Sequence, residues 1–431
     1  MVLKHRVKTG KKKAVWFTDQ DLEILELIWD FKYLSLYQLK YYCESLYGIK
    51  PSSLEMKLRR WRDGEVLIAK KYTKPPAAKV FYRLGPEGIS ILKKTSKLSE
   101  SSKILLEDLP GRRNYDHFFA LRDAVLLSLI EIRKSNRGVT SFSPAEIPYL
   151  LESKSSVPKV VPDWILVNNH GFLNFELDIG TESFSKVNQK IQKYVEYTRQ
   201  RPKEKHHVLL VVLDDNDPRL LYENEYSKDR SGRVTNLKEL IIQSNAHKYS
   251  NLNFYVVSIN RVGDLASKIL SGDYPLKPQQ RLASITAATK LLDLNDKFMY
   301  RINPIAESDI YFSDVSNSLY ADGHFEFSYG AHSGKILIKI MEEGNVQCLD
   351  QIQYLNLLCA EKRYKSNIDK IIAVYQNNEE LHSDVLGAML PYVYFTSKEQ
   401  LSLDLEEHPK FYKTVNTAKK EEVLLYEGNA F

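Results

Sequence analysis

Between Val160 and Tyr194 the hydrophobic period of the chain changes from strand to helix within thirty-five residues, which fixes a supersecondary unit. WILVN and FLNFELD are short apolar runs separated by Asn169, His170 and Gly171, the pattern of two strands joined by a tight turn. From Phe184 onward the period becomes helical, with Val187, Ile191 and Tyr194 on one face. A strand, a turn, a strand and an amphipathic helix in this order predict one side of an α/β sheet.

The unit carries acids at telling positions. Asp163 follows Pro162 at the entry to the first strand, and thirteen residues later Glu176 begins a Glu-x-Asp ending at Asp178. A hairpin would set Asp163 beside Glu176. Two neighbouring carboxylates suit a hard cation, Mg²⁺ or Mn²⁺, and such an ion can activate water against a phosphodiester. A cofactor is expected only if this centre is active.

The flanking elements extend the reading. Residues 115–134 are strongly helical; Asp123 or His117 could add to the site from this helix, though His117 reads first as a packing or DNA-contacting histidine. HHVLLVVLDD (206–215) reads as a buried strand, LKELIIQSNAH as a helix, NFYVVSINRV as a strand and 263–271 as a helix. Residues 277–300 read as a polar connection, and residues 403–431 as a charged surface tail.

Charge is divided unevenly along the chain. Residues 1–113 hold 24 Lys and Arg against 13 Asp and Glu, and the remainder 37 against 42. A basic front joined to a mildly acidic body points to a polyanion. In that front, residues 1–15 form a basic arm (Lys4, Arg6, Lys8, Lys11, Lys12 and Lys13), expected to lack structure of its own. Three helical patterns come next. Thr18 caps the first, with Leu22, Leu25, Ile28 and Trp29 inward. The second carries Leu36, Leu39, Tyr42 and Leu46. The third buries Leu54, Leu58 and Trp61 and turns Ser52, Ser53, Lys57, Arg59, Arg60 and Arg62 outward. Two strands joined near KPPAAK, with Lys74 and Lys79 at the tip, and a closing helix at PEGISILKK complete a winged helix-turn-helix pattern. These outward residues are the expected contacts to double-stranded DNA, by base edge and phosphate.

Cys43, Cys348 and Cys359 are scattered, which disfavours a zinc knuckle or a disulfide framework. The sequence shows no apolar run of membrane-spanning length and no signal-like start, so a cytoplasmic, nucleoid- or plasmid-associated location is expected, with no membrane partner.

The helix, strand, strand, strand, helix, strand order, with Asp163 and Glu176, resembles the PD-(D/E)XK nuclease superfamily. That resemblance implies metal binding by the two acids and a water-positioning lysine two residues after the Glu. Asp178 stands at that position here, as a possible third ligand, and Lys186 or Lys190 on the next helix are the candidates to supply the lysine. The catalytic set expected is therefore Asp163, Glu176, Asp178 and Lys190.

The N-terminal pattern, together with PDW…FELDIGTES…KIQKY, resembles the replication-relaxation family of plasmids and mobile elements of Gram-positive bacteria, over roughly residues 15–215. Pro162, Asp163, Glu176, Asp178, Gly180, Thr181, Glu182, Lys190 and Tyr194 match the family pattern, and Ile179 stands where Arg is usual. The resemblance implies a role in plasmid or phage DNA replication, relaxation or transcription control. A DNA-binding protein with an inactive nuclease-like core is the reading, and a metal-dependent nicking endonuclease the alternative. A homodimer is a further expectation.

The fold class expected is multidomain α/β: a basic arm (1–15), a winged helix-turn-helix (16–96), a linker (97–113), a PD-(D/E)XK restriction-endonuclease-like core (114–275), a C-terminal region (300–402) that is either a degenerate second nuclease-like copy or another α/β domain, and a tail (403–431). The C-terminal region echoes the core, and matching Gly171 with Gly334 sets Glu326 opposite Asp163 and Lys339 or Ile340 opposite Glu176.

Overall fold

The computed structural model describes residues 4–7, 15–74, 77–100, 115–135, 138–142, 160–213, 231–293, 301–329, 332–403, 409–416 and 420–425. The 97–113 linker falls largely outside these.

The basic arm is not wholly without structure. Its segment β1 (Lys4–Val7) pairs antiparallel with β2 (Val15–Thr18). Helix α1 (Asp19–Phe31) starts in a reciprocal capping box, in which the Thr18 hydroxyl accepts from Asp21 N–H and the Asp21 carboxylate accepts from Thr18 N–H. A two-residue strand β3 (Leu34–Ser35) leads into α2 (Leu36–Tyr47), capped in the same way by Ser35 and Gln38 and closed by Gly48 in a left-handed conformation. Helix α3 (Pro51–Asp63) has Pro at its first position, where the missing N–H costs nothing. Strands β4 (Leu67–Lys74) and β5 (Ala77–Leu84) form an antiparallel hairpin that β3 joins, in the order β3-β5-β4, and α4 (Pro86–Lys94) comes after them. Strand β3 is too short to leave a pattern in the sequence.

This N-terminal unit is welded to the central one. Helix α5 (Tyr115–Lys134) receives the Gln38 amide on the Asp123 carboxylate at 2.7 Å. From the same helix Arg122 Nε donates to Phe31 O at 2.8 Å. Phe81 stacks on Phe119 at 4.2 Å, and Phe31 meets Trp164 at 5.0 Å. One continuous apolar core therefore runs through both units.

The central sheet contains β6 (Thr140–Phe142), β7 (Trp164–Asn168), β8 (Gly171–Asp178), β9 (His206–Val212) and β10 (Leu252–Ser258), in the order β10-β9-β8-β7-β6. The β6–β7 and β7–β8 pairings are antiparallel, and β8–β9 and β9–β10 parallel. Helix α6 (Phe184–Arg199) joins β8 to β9, and α7 (Ser231–Gln243) lies between β9 and β10. Helix α8 (Val262–Leu270) comes after β10 and packs against α5. One sheet face (Phe175, Leu177, Leu209, Val211) meets α5 and α8. The other (Val208, Leu210, Val212) meets α6 and α7. Alternating strand residues thus feed two cores.

The stretch read as a polar connection is helix α9 (Pro278–Asp293). Beyond it lies a seven-stranded sheet, in sequential order: β11 (Arg301–Pro304), β12 (Gly323–Tyr329), β13 (His332–Ile340), β14 (Lys370–Tyr375), β15 (Val393–Ser397), β16 (Phe411–Thr414) and β17 (Lys420–Val423). Helices α10 (Val346–Ala360), α11 (Asn378–Ser383) and α12 (Lys398–Leu403) fall between and after its parallel strands. The expected surface tail is also corrected here: β16 and β17 complete the sheet, and Phe411 is fully buried in its core.

The two sheets meet through buried charge. Arg261 donates to both oxygens of Glu343, Lys238 to Asp384 at 2.7 Å, and Lys268 to Glu380 at 2.7 Å. Val256 N–H donates to Gly344 O, so the loop after β13 lies along β10. Gly344 has φ +71°, and a Cβ there would fall 2.5 Å from Val257 Cγ1, so both conformation and space demand glycine. No helix among the described residues is long and apolar enough to cross a membrane.

Candidate functional site

The β7–β8 hairpin does what the sequence leads one to expect: it brings Asp163 and Glu176 together. Trp164 pairs with Phe175, and Asp163 N–H donates to Phe175 O. One Asp163 carboxylate oxygen accepts from Leu177 N–H at 2.8 Å and completes the end of the ladder. This oxygen also lies 3.3 Å from His117 Nε2, which α5 delivers. His117 therefore joins the site. Asp123 does not, because it is buried against Gln38.

Glu176 is buried in the adjoining strand, and both its oxygens are engaged from α6. Tyr194 donates its hydroxyl to Oε1 at 2.7 Å, and Lys190 its ammonium to Oε2 at 3.0 Å. Lys190 and Tyr194 are one helical turn apart, which is why both reach one carboxylate. The Lys190 ammonium also lies 3.4 Å from Glu182. Lys186, the other candidate lysine, is exposed to solvent.

These contacts set the charges. Burial, and then the neighbouring Asp163, push the Glu176 carboxyl up to about 7. Burial alone would raise Asp163 too, but the hydrogen bond and charge of His117, helped by Lys190 and Leu177 N–H, hold it below the usual carboxylate range. Burial would lower His117, and Asp163 reverses this, so the imidazole favours its protonated form. Burial opposes the Lys190 charge, and Glu176 and Asp163 more than restore it.

Asp178 plays a different part from the one expected. Its carboxylate accepts from Arg233 Nε at 3.0 Å and Nη2 at 2.6 Å, and from Gly180 N–H at 2.5 Å. Arg233 Nη2 also donates to Glu182 O at 2.9 Å. Asp178 is thus the anchor that fastens the start of α7 to the end of β8. Sequence reasoning misses Arg233. It lies fifty-five residues beyond its partner, and nothing local marks it.

Two carboxylates are the right donors in kind for Mg²⁺ or Mn²⁺. In this structure they do not fit such an ion as they stand. Glu176 has both oxygens hydrogen-bonded, Lys190 already supplies the opposing charge, and His117 does the same for Asp163. No group of three His, Cys, Asp or Glu side chains suited to a metal occurs among the described residues. An ion would have to displace the Lys190 ammonium.

The second candidate surface lies on α3. Leu54, Leu58 and Trp61 are buried, with Trp61 stacked on Phe17 at 5.7 Å, while Ser52, Ser53, Arg59, Arg60 and Arg62 are exposed. Arg62 rests on its neighbour Asp63 at 3.2 Å. Lys57 is corrected: it turns inward, half-buried, and pairs with Asp21, the buried capping residue of α1. Lys74 and Lys79 lie in β4 and β5, and their side chains fall outside the described residues.

A basic three-helix and hairpin unit joined to an α/β sheet with an acid pair at a hairpin defines the class. The replication-relaxation family model matches residues 25–213, from within α1 to just past the end of β9, which bears out the resemblance seen in the sequence. No curated protein matches. Among solved structures, the restriction endonuclease FokI is similar at 13% identity over 61% of this chain and 46% of that one, with a TM-score of 0.21. The FokI structure bound to DNA is similar at 12% identity over 88% and 64%, with a TM-score of 0.17. The chain thus spans less than two thirds of either.

Proposed function

We propose that this protein is a double-stranded-DNA-binding factor in plasmid or phage replication, DNA relaxation or transcription control. In this reading the N-terminal unit is a winged helix-turn-helix, α3 enters the major groove, and the central α/β unit is a PD-(D/E)XK-like core kept as a scaffold. The observation that carries it is the division of α3 into a buried Leu54–Leu58–Trp61 stripe and an exposed face with Ser52, Ser53, Arg59, Arg60 and Arg62. Guanidinium groups suit phosphate and guanine, and the net charge of the first 113 residues favours a polyanion. The scaffold role is supported by the contacts of the acid pair. Asp163 ends a β ladder, and Glu176 is neutralised by a lysine of its own chain.

The test is duplex binding by fluorescence anisotropy. Arg59→Ala with Arg60→Ala is expected to weaken affinity about tenfold or more and to flatten its salt dependence. Unchanged affinity would overturn the reading.

One observation favours a second reading. Asp163, Glu176 and a lysine converge, as a metal-dependent nicking endonuclease requires. That reading predicts nicking of supercoiled plasmid with Mg²⁺ or Mn²⁺, lost in Asp163→Ala. The scaffold reading predicts no nicking by either protein.

A further inference from the structure

The central and C-terminal sheets share one connectivity. From β11 to β15 the pairings run antiparallel, antiparallel, parallel, parallel, as they do from β6 to β10. A helix precedes each set (α5, α9), joins the third strand to the fourth (α6, α10), joins the fourth to the fifth (α7, α11) and comes after the fifth (α8, α12).

Hydrogen bonds fix the correspondence residue by residue. Asp322 N–H donates to Ile338 O, and an Asp322 oxygen accepts from Ile340 N–H at 2.8 Å. These are the two bonds that Asp163 makes with Phe175 O and Leu177 N–H, the second also at 2.8 Å. Phe175 therefore answers to Ile338, Leu177 to Ile340, and Glu176 to Lys339. The faces agree, since Ile338 and Ile340 join the core that holds α9, as Phe175 and Leu177 join the core that holds α5. The connecting helices agree as well, with Val187, Ile191, Tyr194 and Thr198 buried at the same spacing as Cys348, Ile352, Leu355 and Cys359. Lys190 then answers to Gln351. The counterpart of Asp163 is thus Asp322, and Glu326, the sequence expectation, is replaced in that role. The C-terminal hairpin is four residues longer, with seventeen positions from Asp322 to Lys339 against thirteen, and matching its glycines shifted the register.

We infer that the C-terminal unit repeats the central one and that its centre, Asp322, Lys339 and Arg281, is a closed ion-pair lock standing where the acid pair of the first unit stands. Lys339 Nζ lies 3.3 Å and 3.2 Å from the two Asp322 oxygens. Arg281, from α9, lies 3.4 Å from Asp322 and pairs with the buried Glu342. It occupies the place of His117, which α5 brings to Asp163. The aspartate that ends the ladder is common to both units. The second acid has become a lysine on the strand, and the lysine on the helix has been dispensed with. A buried ammonium in contact with the aspartate excludes a divalent cation from the second centre by charge and by space.

The test uses the full chain in a thermal-unfolding cycle, with Mn²⁺ binding followed by electron paramagnetic resonance. Asp322→Asn strands the Lys339 ammonium and is expected to lower the unfolding midpoint by about 5 °C or more. Adding Lys339→Met is expected to recover at least half of that loss. If Asp322→Asn does not fold alone, recovery of folded protein in the double variant is the same result. Additive losses, or no recovery, would overturn the lock. The Mn²⁺ count is expected to be equal in the parent and the double variant, and loss of a bound Mn²⁺ in the double variant would overturn it as well. Neither readout involves DNA, so the inference stands or falls apart from the role proposed for α3.

Discussion

Glu176 is the residue whose behaviour depends most on its surroundings. Folded, its carboxyl holds a proton more tightly than in the unfolded chain, because burial and Asp163 disfavour the anion. The stability it contributes is full below its unfolded value of 4.5 and is lost as the pH rises through about 7. Wild type is therefore expected to lose roughly 2 kcal/mol relative to Glu176→Gln between pH 5 and 7.5, measured by denaturant unfolding. Parallel curves would show that burial does not govern this group. The proximity of Asp163 to Glu176 was legible in the sequence because the hairpin is short and its turn marked by Gly171. The partners were only partly so. Lys190 and Tyr194 share a helical face, whereas Arg233 reaches Asp178 across a tertiary contact that no periodicity encodes.

At the scale of the element, α3 separates two kinds of cation that look alike in sequence. Lys57 ties α3 to α1 through Asp21, whereas Arg59 and Arg60 face solvent. Lys57→Ala is expected to reduce stability by about 1 kcal/mol, given its part exposure, and to leave duplex affinity within about twofold. Arg59→Ala and Arg60→Ala should do the reverse. Thermal melts and anisotropy on the same samples would decide, and a tenfold affinity loss in Lys57→Ala would contradict the assignment. The helices of this unit were readable because Leu54, Leu58 and Trp61, or Leu22, Leu25 and Ile28, recur at helical spacing. Helix α9 escaped because its Gln, Lys and Thr content dilutes its apolar side to Ile285, Ala288 and Leu292. Strands β16 and β17 escaped because four residues are too few to show alternation.

At the scale of the whole molecule, the units are joined by ion pairs removed from water. Arg261 holds Glu343, whose carboxyl burial pushes up to about 7. Arg261→Ala leaves that acid unpaired and is expected to cost about 3–5 kcal/mol. If these contacts make the parent unfold as one unit, calorimetry should show the variant's C-terminal sheet melting in a separate, earlier transition. A single unshifted transition would show that the contact does not couple the units. None of these pairs was legible in the sequence, since each joins positions more than eighty residues apart.

The loop that carries Gly344 along β10 has a wider effect. A border strand with bare amides recruits whatever extended peptide drifts past it. Here Val256 N–H is already engaged by Gly344 O, and Asn345 forms a bridge to Tyr255. At Tyr255 and Val256 the chain has closed that seam with its own backbone, so the addition of a foreign strand is blocked at this stretch of the rim.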